Sequence, residues 1–270
     1  MKIFAIALLT LCFTAASWGE EPKDGYFETS DGIKIHYLTL GEQGSWVVLI
    51  HGFTDSAQRM YFSTGIAQEL AKNHRVVAID NRNHGQSDKP QPGGPGIARD
   101  TLELMQHLDI EKAHIHGYSM GGGITGQLMA SDPERFITGS FGGSGIREND
   151  PDKAAAAEAL DPIAPQPTGT EAEAFNRLRQ AASRLGNGER SGVRLGPEMD
   201  LTSIRFPVLA INGEFDRPLS KTQRLWRELG NFRNVILPGK SHLTAIAVGG
   251  PMPQRYIDEL ARFINANDED

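Results

Sequence analysis

A serine between two glycines is the clearest chemical signal in the sequence. The motif Gly117-Tyr118-Ser119-Met120-Gly121 follows a short apolar run and opens a stretch of helical pattern. A serine on such a tight strand-to-helix turn projects out of a sheet, and the flanking glycines let neighbouring backbone approach closely. Unpaired amides at a helix start favour negative charge. We therefore expect Ser119 to attack a carbonyl carbon while the Met120 N–H stabilises the oxyanion.

A serine hydroxyl needs a base, and the sequence restricts the choice to one residue. His242 is the one histidine after Ser119, and it follows the apolar run 234–237. A loop at that point can present an imidazole at the C-terminal edge of a sheet. Taken alone, His242 would be interpreted as an exposed loop histidine. In combination with Ser119, the sequence favours His242 as the general base.

The third expected group is a carboxylate that holds the imidazole in one tautomer. Asp216 follows the strand-like run 207–211 and its extension to Phe215, which gives the chain order Ser, Asp, His. Glu214 is the local rival, and we interpret it as a surface turn residue. Asp216 is therefore the predicted orienting carboxylate.

The second oxyanion donor should come from a loop after an earlier strand. The segment Ile50-His51-Gly52-Phe53 provides one, and the Phe53 N–H is the expected donor. We interpret His51 as a structural hydrogen-bonding residue rather than a base. His114 and His116 share a strand face, but the sequence near them offers no acidic partner at ligand spacing. No metal site is therefore expected.

The elements that would position these residues alternate between strand and helix along the chain. Strand-like runs cover residues 33–40, 46–50, 75–80, 113–117, 136–141, 207–211 and 234–237. Helical patterns cover 57–72, 97–108, 119–130, 221–229 and 254–264, and Asp31-Gly32 is typical of a hairpin turn. The alternation predicts an α/β fold with a mostly parallel sheet and helices on both faces.

The pattern changes between residues 147 and 200, where alanine, proline, glycine and charge dominate without a strand-like run. This composition predicts a helical cap inserted into a core of residues 20–146 and 201–270. A helix over 154–160 is expected, and Phe175, Leu178, Ala182 and Leu185 share one face of another. A disordered linker is the alternative. Phe175, Leu178 and Leu185 either face the substrate or only hold the cap helix to the core.

Several of these motifs occur in an order that resembles the α/β-hydrolase superfamily. They are His51-Gly52-Phe53, residues 80–87, the turn at Ser119, Gly213-Glu214-Phe215-Asp216 and Ser241-His242. The resemblance covers residues 26–264 and implies the fold, no cofactor, and structural roles for Arg82 and His84. The family usually has glycine where Asn83 stands. Asparagine tolerates left-handed backbone, so this departure leaves the expected fold intact.

The resemblance also narrows the chemistry. Haloalkane dehalogenases and epoxide hydrolases of this fold carry an aspartate at the position of Ser119, so the sequence argues against both. Carboxylesterases, lactonases, perhydrolase-like enzymes and carbon–carbon bond hydrolases remain, and the fold does not choose among them. We expect hydrolysis of small to medium carboxylic esters. The alternatives are the other three activities, or a module that binds a small ligand without turnover.

The first 19 residues are typical of a secretory signal peptide. Lys2 precedes an apolar run, 3–13, that is too short to cross a bilayer, and small residues follow at Ala15, Ser17 and Gly19. We expect export to the periplasm or the medium, with a mature N-terminus between residues 17 and 22 that intact-mass analysis would locate. The single cysteine, Cys12, would be removed with this segment.

Net charge argues against two classes of partner. Loss of Lys2 with the leader moves the net charge from −7 to −8, which disfavours nucleic acids and anionic membranes. No second apolar run reaches membrane-spanning length, so no membrane span is expected in the mature chain. The expected partner is a small-molecule ester.

Overall fold

The computed structural model describes residues 21–90, 96–184, 199–246 and 253–268. The expected signal peptide and Leu185 lie outside these ranges. Within them, no helix combines the length and the apolar character that crossing a bilayer requires.

The centre of the molecule is one eight-stranded sheet with the strand order β1-β2-β4-β3-β5-β6-β7-β8. The strands are β1 Lys23–Glu28, β2 Lys34–Leu40, β3 Trp46–Ile50, β4 Arg75–Ile79, β5 Ala113–Tyr118, β6 Phe136–Gly142, β7 Val208–Gly213 and β8 Phe232–Leu237. The pairs β1–β2 and β2–β4 are antiparallel, and all others are parallel. The C-terminal ends of β3 to β8 therefore meet at one edge, which is where the motif residues lie.

Helices cover both faces of the sheet, as the sequence predicts. They are α1 Ile66–Leu70, α2 Ile97–His107, α3 Met120–Ser131, α4 Pro151–Leu160, α5 Gly169–Arg184, α6 Pro218–Glu228 and α7 Gln254–Asn265. Residues of α1 and α7 pack into one apolar cluster, and residues of α2, α3 and α6 pack into the other. Coverage on both sides explains the continuous apolar strands, such as Val47 to Ile50, which are fully buried.

One predicted helix is wrong. The pattern over 57–72 forms two pieces, a π-helical turn at Gln58–Phe62 and the short α1. Gly65 separates them with φ 87°, a left-handed conformation that ends one helix before the next begins. The apolar positions of both pieces still face the core, so the periodic pattern continues across the break.

The hairpin turn at Asp31-Gly32 is confirmed, and it joins β1 to β2. Gly32 has φ 78°, and its N–H donates to the Thr29 carbonyl at 2.8 Å. The sequence analysis did not name β1, whose residues Lys23–Glu28 are mostly exposed or half-buried and carry little apolar pattern.

The described part of the predicted insertion is helical and contains α4 and α5. α4 begins after Asp150, whose carboxylate accepts the backbone N–H groups of Asp152 and Lys153, with Pro151 in the first turn. Ala157 and Ala174 are buried.

Candidate active site

Ser119 lies at the turn between β5 and α3, in strained backbone with φ 53° and ψ −110°. Its N–H donates to the Gly142 carbonyl of β6 at 2.8 Å, which ties the turn to the neighbouring strand. The flanking glycines are sterically required. A Cβ at Gly117 would lie 2.1 Å from the Gly121 carbonyl oxygen, and one at Gly121 would lie 1.9 Å from the Ile50 oxygen. The close packing holds the Ser119 side chain at the C-terminal edge of the sheet.

His242 and Asp216 lie beside Ser119 and form a continuous series of hydrogen bonds with it. The Nε2 of His242 is 2.9 Å from the Oγ of Ser119. The Nδ1 is 2.9 Å from Oδ2 and 3.0 Å from Oδ1 of Asp216. A carboxylate only accepts, so the proton of the neutral ring is on Nδ1, and the Nε2 lone pair faces the serine hydroxyl. This arrangement can take a proton from Ser119.

Tyr118 holds the His242 loop, a contact that the sequence analysis missed. Its buried hydroxyl donates to the backbone carbonyl of His242 at 2.5 Å. Burial, reinforced by the charge of Asp216, raises the pKa of Tyr118 well above 10, so the phenol keeps its donor proton. Gly143 leaves room for the ring, because a Cβ there would lie 2.7 Å from the Tyr118 ring.

Lys221 is a second group that the sequence analysis missed. It lies on α6, and its Nζ is 2.5 Å from Oδ1 of Asp216 and 3.1 Å from the Gly143 carbonyl oxygen. Burial lowers the pKa of Lys221 from 10.5, while the Asp216 charge acts in the opposite direction. The Asp216 carboxylate therefore contacts both an imidazole and an ammonium group.

The two expected oxyanion donors, the N–H groups of Phe53 and Met120, belong to segments that adjoin Ser119. Phe53 and Met120 are half-buried, and in the described part of the chain neither N–H donates to a protein acceptor. A Cβ at Gly52, the residue before Phe53, would lie 3.5 Å from the Ser119 Cβ. Both loops therefore adjoin the serine, with N–H groups available for a ligand.

His51 fixes the direction of the Phe53 N–H. Its Nδ1–H donates to the Gly52 carbonyl oxygen at 2.7 Å, and its Nε2 accepts from the Asn81 N–H at 3.1 Å. The Gly52 carbonyl and the Phe53 N–H belong to one planar trans peptide, so anchoring the C=O turns the N–H the opposite way. Burial lowers the pKa of His51 to about 4. The neutral ring, with both nitrogens occupied, is structural as predicted.

Comparison with known proteins agrees with the fold. A family model described as alpha/beta hydrolase fold matches residues 45–139. The solved structure of a 2-hydroxy-6-oxo-6-phenylhexa-2,4-dienoate hydrolase from a Rhodococcus strain superimposes with a TM-score of 0.64 and 25% identity, covering 91% of this chain and 98% of that one. The chain has the α/β-hydrolase fold.

Curated relatives of this α/β-hydrolase have varied names. The dihydrolipoyllysine-residue acetyltransferase component of the acetoin cleaving system of Cupriavidus necator is 35% identical over 115 residues, which are 42% of this chain and 30% of that protein. A non-heme chloroperoxidase of Streptomyces lividans is 31% identical over 170 residues, 58% of this chain and 54% of that protein. The matched segments thus span about a third to about half of these two relatives.

The segment from Asp80 to Ser87 of this α/β-hydrolase supports the loops around the site. The Asp80 carboxylate accepts the N–H groups of Ala57 at 2.7 Å and Gln86 at 2.8 Å. Arg82 forms a buried two-point ion pair with Asp100 at 2.5 and 2.6 Å, so its predicted structural role is confirmed. His84 also bonds within this segment, to the Arg82 carbonyl at 3.0 Å.

Asn83 replaces the glycine that the family usually has, and its backbone is left-handed with φ 69°. This is the conformation that the sequence analysis expected asparagine to tolerate.

The cap helix α5 reaches the residue next to His242. The hydroxyl of Ser241 donates to the Glu171 carboxylate. Phe175, one turn further along α5, is half-buried on the same helical face as Glu171. Leu178 also belongs to α5, and Leu185 lies outside the described residues.

A second cap contact connects α4 to the start of α6. The Asp161 carboxylate accepts the backbone N–H groups of Leu219 at 2.7 Å and Ser220 at 3.1 Å. Arg217, the residue after Asp216, pairs with Glu158. Negative charge at a helix N-terminus is favourable, so polar contacts hold this part of the cap beside the Asp216 loop.

His116 does not form a site with His114, although both lie on one strand face. The Nδ1 of His116 is 2.9 Å from Ser140 Oγ, and its Nε2 is 3.0 Å from the Tyr256 hydroxyl. Burial lowers its pKa to about 3, so it is a neutral, fully bonded core residue.

Proposed function

We propose that this α/β-hydrolase cleaves carboxylic esters of small to medium size through an acyl-enzyme on Ser119. One observation carries the proposal, the 2.9 Å separation of Ser119 Oγ from a His242 Nε2 whose partner nitrogen is bonded to Asp216. Together with the strained turn at Ser119, this is the arrangement that activates a serine alcohol for attack.

The proposed reaction has two steps, each with a tetrahedral intermediate. In the first, His242 accepts the hydroxyl proton as Ser119 Oγ bonds to the carbonyl carbon, and the oxyanion lies between the Phe53 and Met120 N–H groups. The intermediate then expels the alcohol, which takes the proton from His242. In the second step a water molecule gives one proton to His242 as its oxygen bonds to the acyl carbon. The bond from that carbon to Ser119 Oγ then breaks, Oγ takes the proton back from His242, and the carboxylic acid is released.

Carbon–carbon bond hydrolysis is the second candidate, because the Rhodococcus structure is named for that activity. The same serine would then attack a ketone, and the leaving carbon would take the proton that an alkoxide takes from an ester. Lactone hydrolysis differs from ester hydrolysis only in the leaving group, which stays attached to the acyl chain. Perhydrolysis differs from it only in the final nucleophile, which is a peroxide instead of water. A substrate panel of esters, lactones and vinylogous diketones, assayed with the purified protein, would separate these activities from ligand binding without turnover.

Ser119→Ala should reduce ester turnover at least about a thousandfold, because the nucleophile is lost while the packed sheet remains. The comparison is made on protein whose circular dichroism matches that of the unsubstituted chain. A fluorophosphonate probe should add its mass to the peptide that carries Ser119 in the unsubstituted protein and to none in the variant. Near-normal turnover by Ser119→Ala would exclude the proposed nucleophile.

Asp216→Asn and Glu214→Gln form a matched pair, since each removes one carboxylate charge from the same loop. Glu214 bonds to the Gly239 N–H at 2.7 Å, whereas Asp216 contacts the imidazole of His242. Asp216→Asn should lower kcat by about a thousandfold or more, and Glu214→Gln should leave it within about threefold. The reverse ranking would transfer the orienting role to Glu214.

A further inference from the structure

We propose that His74, His114 and Asp268 form a divalent-cation site suited to Zn²⁺, at the sheet edge opposite Ser119. His74 directly precedes β4, His114 is the second residue of β5, and Asp268 follows α7. Five residues of extended chain separate His114 from Ser119, or about 16 Å along the strand. The proposed site is therefore distinct from the candidate active site and independent of the proposed function.

The distances from Asp268 to the two histidine rings are close to those of atoms that share a metal. One ligand atom of each residue lies within 4.8 Å of the other two. His114 Nε2 is 3.3 Å from Asp268 Oδ1, and His74 Nδ1 is 3.6 Å from Asp268 Oδ2. Ligands at about 2.0–2.1 Å from a tetrahedral zinc ion lie about 3.3–3.5 Å from each other.

The same protein provides an internal comparison for histidine–carboxylate pairs that share a proton. His36 lies 2.8 Å from Asp80, and His242 lies 2.9 Å from Asp216. The two separations from Asp268 are longer by several tenths of an ångström, although both histidines are buried and Asp268 is only about a quarter exposed. The carboxylate therefore lies at metal-sharing distance from both rings.

The remaining ring nitrogens have the partners expected of metal-bound histidines. His74 Nε2 is 2.7 Å from Asn265 Oδ1, and His114 Nδ1 is 2.8 Å from Thr138 Oγ1. When these nitrogens donate their protons outward, the lone pair of His114 Nε2 faces Asp268 Oδ1 at 3.3 Å. The lone pair of His74 Nδ1 faces Ser45 Oγ at 3.0 Å and Asp268 Oδ2 at 3.6 Å. Histidine ligands usually donate the second N–H to an oxygen in this way, which fixes both the tautomer and the ring orientation.

The donor set selects among cations. Two imidazoles and one carboxylate suit Zn²⁺, whereas Mg²⁺ and Ca²⁺ prefer oxygen ligands alone. Ser45 Oγ lies 3.0 Å from His74 Nδ1 and also bonds to Asp268, so an ion bound to that nitrogen would displace the serine hydroxyl, and water would complete the coordination. A bound ion would join the end of α7 to the starts of β4 and β5, so its effect is on stability rather than on turnover.

The test uses the full chain after treatment with a chelator and dialysis. Calorimetric titration with ZnCl₂ should give one zinc ion per chain, and zinc at about a hundredfold above the dissociation constant should raise the melting temperature by about 5 °C or more. MgCl₂ at the same concentration should produce no such rise. Cobalt(II) should give the visible absorption of a tetrahedral site. No zinc binding to the chelated chain would overturn the proposal.

Three variants assign the site to these residues. Asp268→Asn removes the charged ligand. Asn265→Ala removes only the hydrogen-bond acceptor of His74 Nε2. Each substitution should weaken zinc binding about tenfold or more. Asn267→Ala is the matched control, because Asn267 bonds to the Phe263 carbonyl and should leave zinc affinity unchanged. Equal affinity in all three variants would overturn the proposal. If Asp268→Asn does not fold, the comparison of zinc affinity between Asn265→Ala and Asn267→Ala tests the proposal without it.

Discussion

The Asp216 carboxylate has two partners at once, the His242 imidazole and the Lys221 ammonium group. A carboxylate beside an imidazole favours the protonated ring, and an ammonium group 2.5 Å from the same carboxylate offsets part of that effect. Arg147 and Asp161 also act on Lys221, with opposite signs. Lys221 therefore offsets part of the negative charge that Asp216 presents to His242. A second hydrogen bond, from the Lys221 ammonium group to the Gly143 carbonyl, holds Lys221 in place.

Lys221→Met should move the acid limb of the pH–rate profile for ester turnover to higher pH, by about half a unit or more. The reason is that the uncompensated Asp216 charge would retain the imidazole proton to higher pH, and the protonated ring cannot act as a base. Lys112→Met, which removes one charge from the opposite edge of the sheet, is the control. An unshifted limb, or equal shifts in both variants, would contradict this role of Lys221.

At the scale of elements, the cap is attached mainly by polar contacts. Ala157 and Ala174 are its buried apolar residues among those described, while Leu160 is 65% and Ile163 is 94% exposed. Glu171 bonds to Ser241, and Asp161 bonds to the first turn of α6. Little apolar area therefore opposes movement of α5 over the site, and Phe175 shares the face of α5 that reaches Ser241.

Phe175→Ala should change the preference between short and longer acyl chains by about 1 to 3 kcal/mol in kcat/KM, because a pocket wall would lose an aromatic ring. Its melting temperature should change little, since the side chain is only half-buried. Leu160→Ala, at the exposed end of α4, is the control and should leave chain-length preference unchanged. A large drop in melting temperature with unchanged preference would show that Phe175 only packs the cap.

The sequence was informative about elements where local pattern decides the structure. β3 was predicted with its observed bounds, and α2 differs by one residue at its end, because unbroken apolar strands and regular apolar spacing are local signals. The helix over 57–72 failed at Gly65. The positive φ of Gly65 depends on how the two helical pieces pack on the sheet, and the periodicity of apolar residues does not predict it.

At the scale of the whole molecule, the contacts that the sequence could not supply join distant positions. Tyr118 meets His242 across 124 residues, and His74 meets Asn265 across 191. Sequence reasoning placed Ser119, Asp216 and His242 by strand order, which fixes an edge of the sheet. It had no comparable rule for Lys221 on a helix face, or for Asp268 beside two histidines at the starts of β4 and β5. Those contacts follow from packing of the complete fold.

Buried neutral histidines make the stability of the whole molecule depend on pH. Burial lowers the pKa of His51 from 6.5 to about 4. In the unfolded chain the ring takes up a proton as the pH falls through about 6.5, whereas in the folded protein it stays neutral until about 4. Between these values the unfolded state binds more protons. The contribution of His51 is therefore fully present above pH 6.5 and is lost as the pH falls.

His51→Gln should consequently weaken the pH dependence of stability. From the two pKa values, the titration of His51 lowers the free energy of unfolding by about 2 kcal/mol between pH 8 and pH 5. Urea unfolding at both pH values should show a loss smaller by about that amount in His51→Gln, even if the variant is less stable at pH 8. His36, whose pKa is raised, and His84, whose pKa is lowered, remain in both proteins, so their own titration contributes to the loss in each. His107→Gln, an exposed control, should retain the full loss of unfolding free energy between pH 8 and pH 5.

An equal loss of unfolding free energy in His51→Gln and the unsubstituted protein would mean that His51 is protonated in the folded state. That result is incompatible with the hydrogen bond that its Nε2 accepts from Asn81.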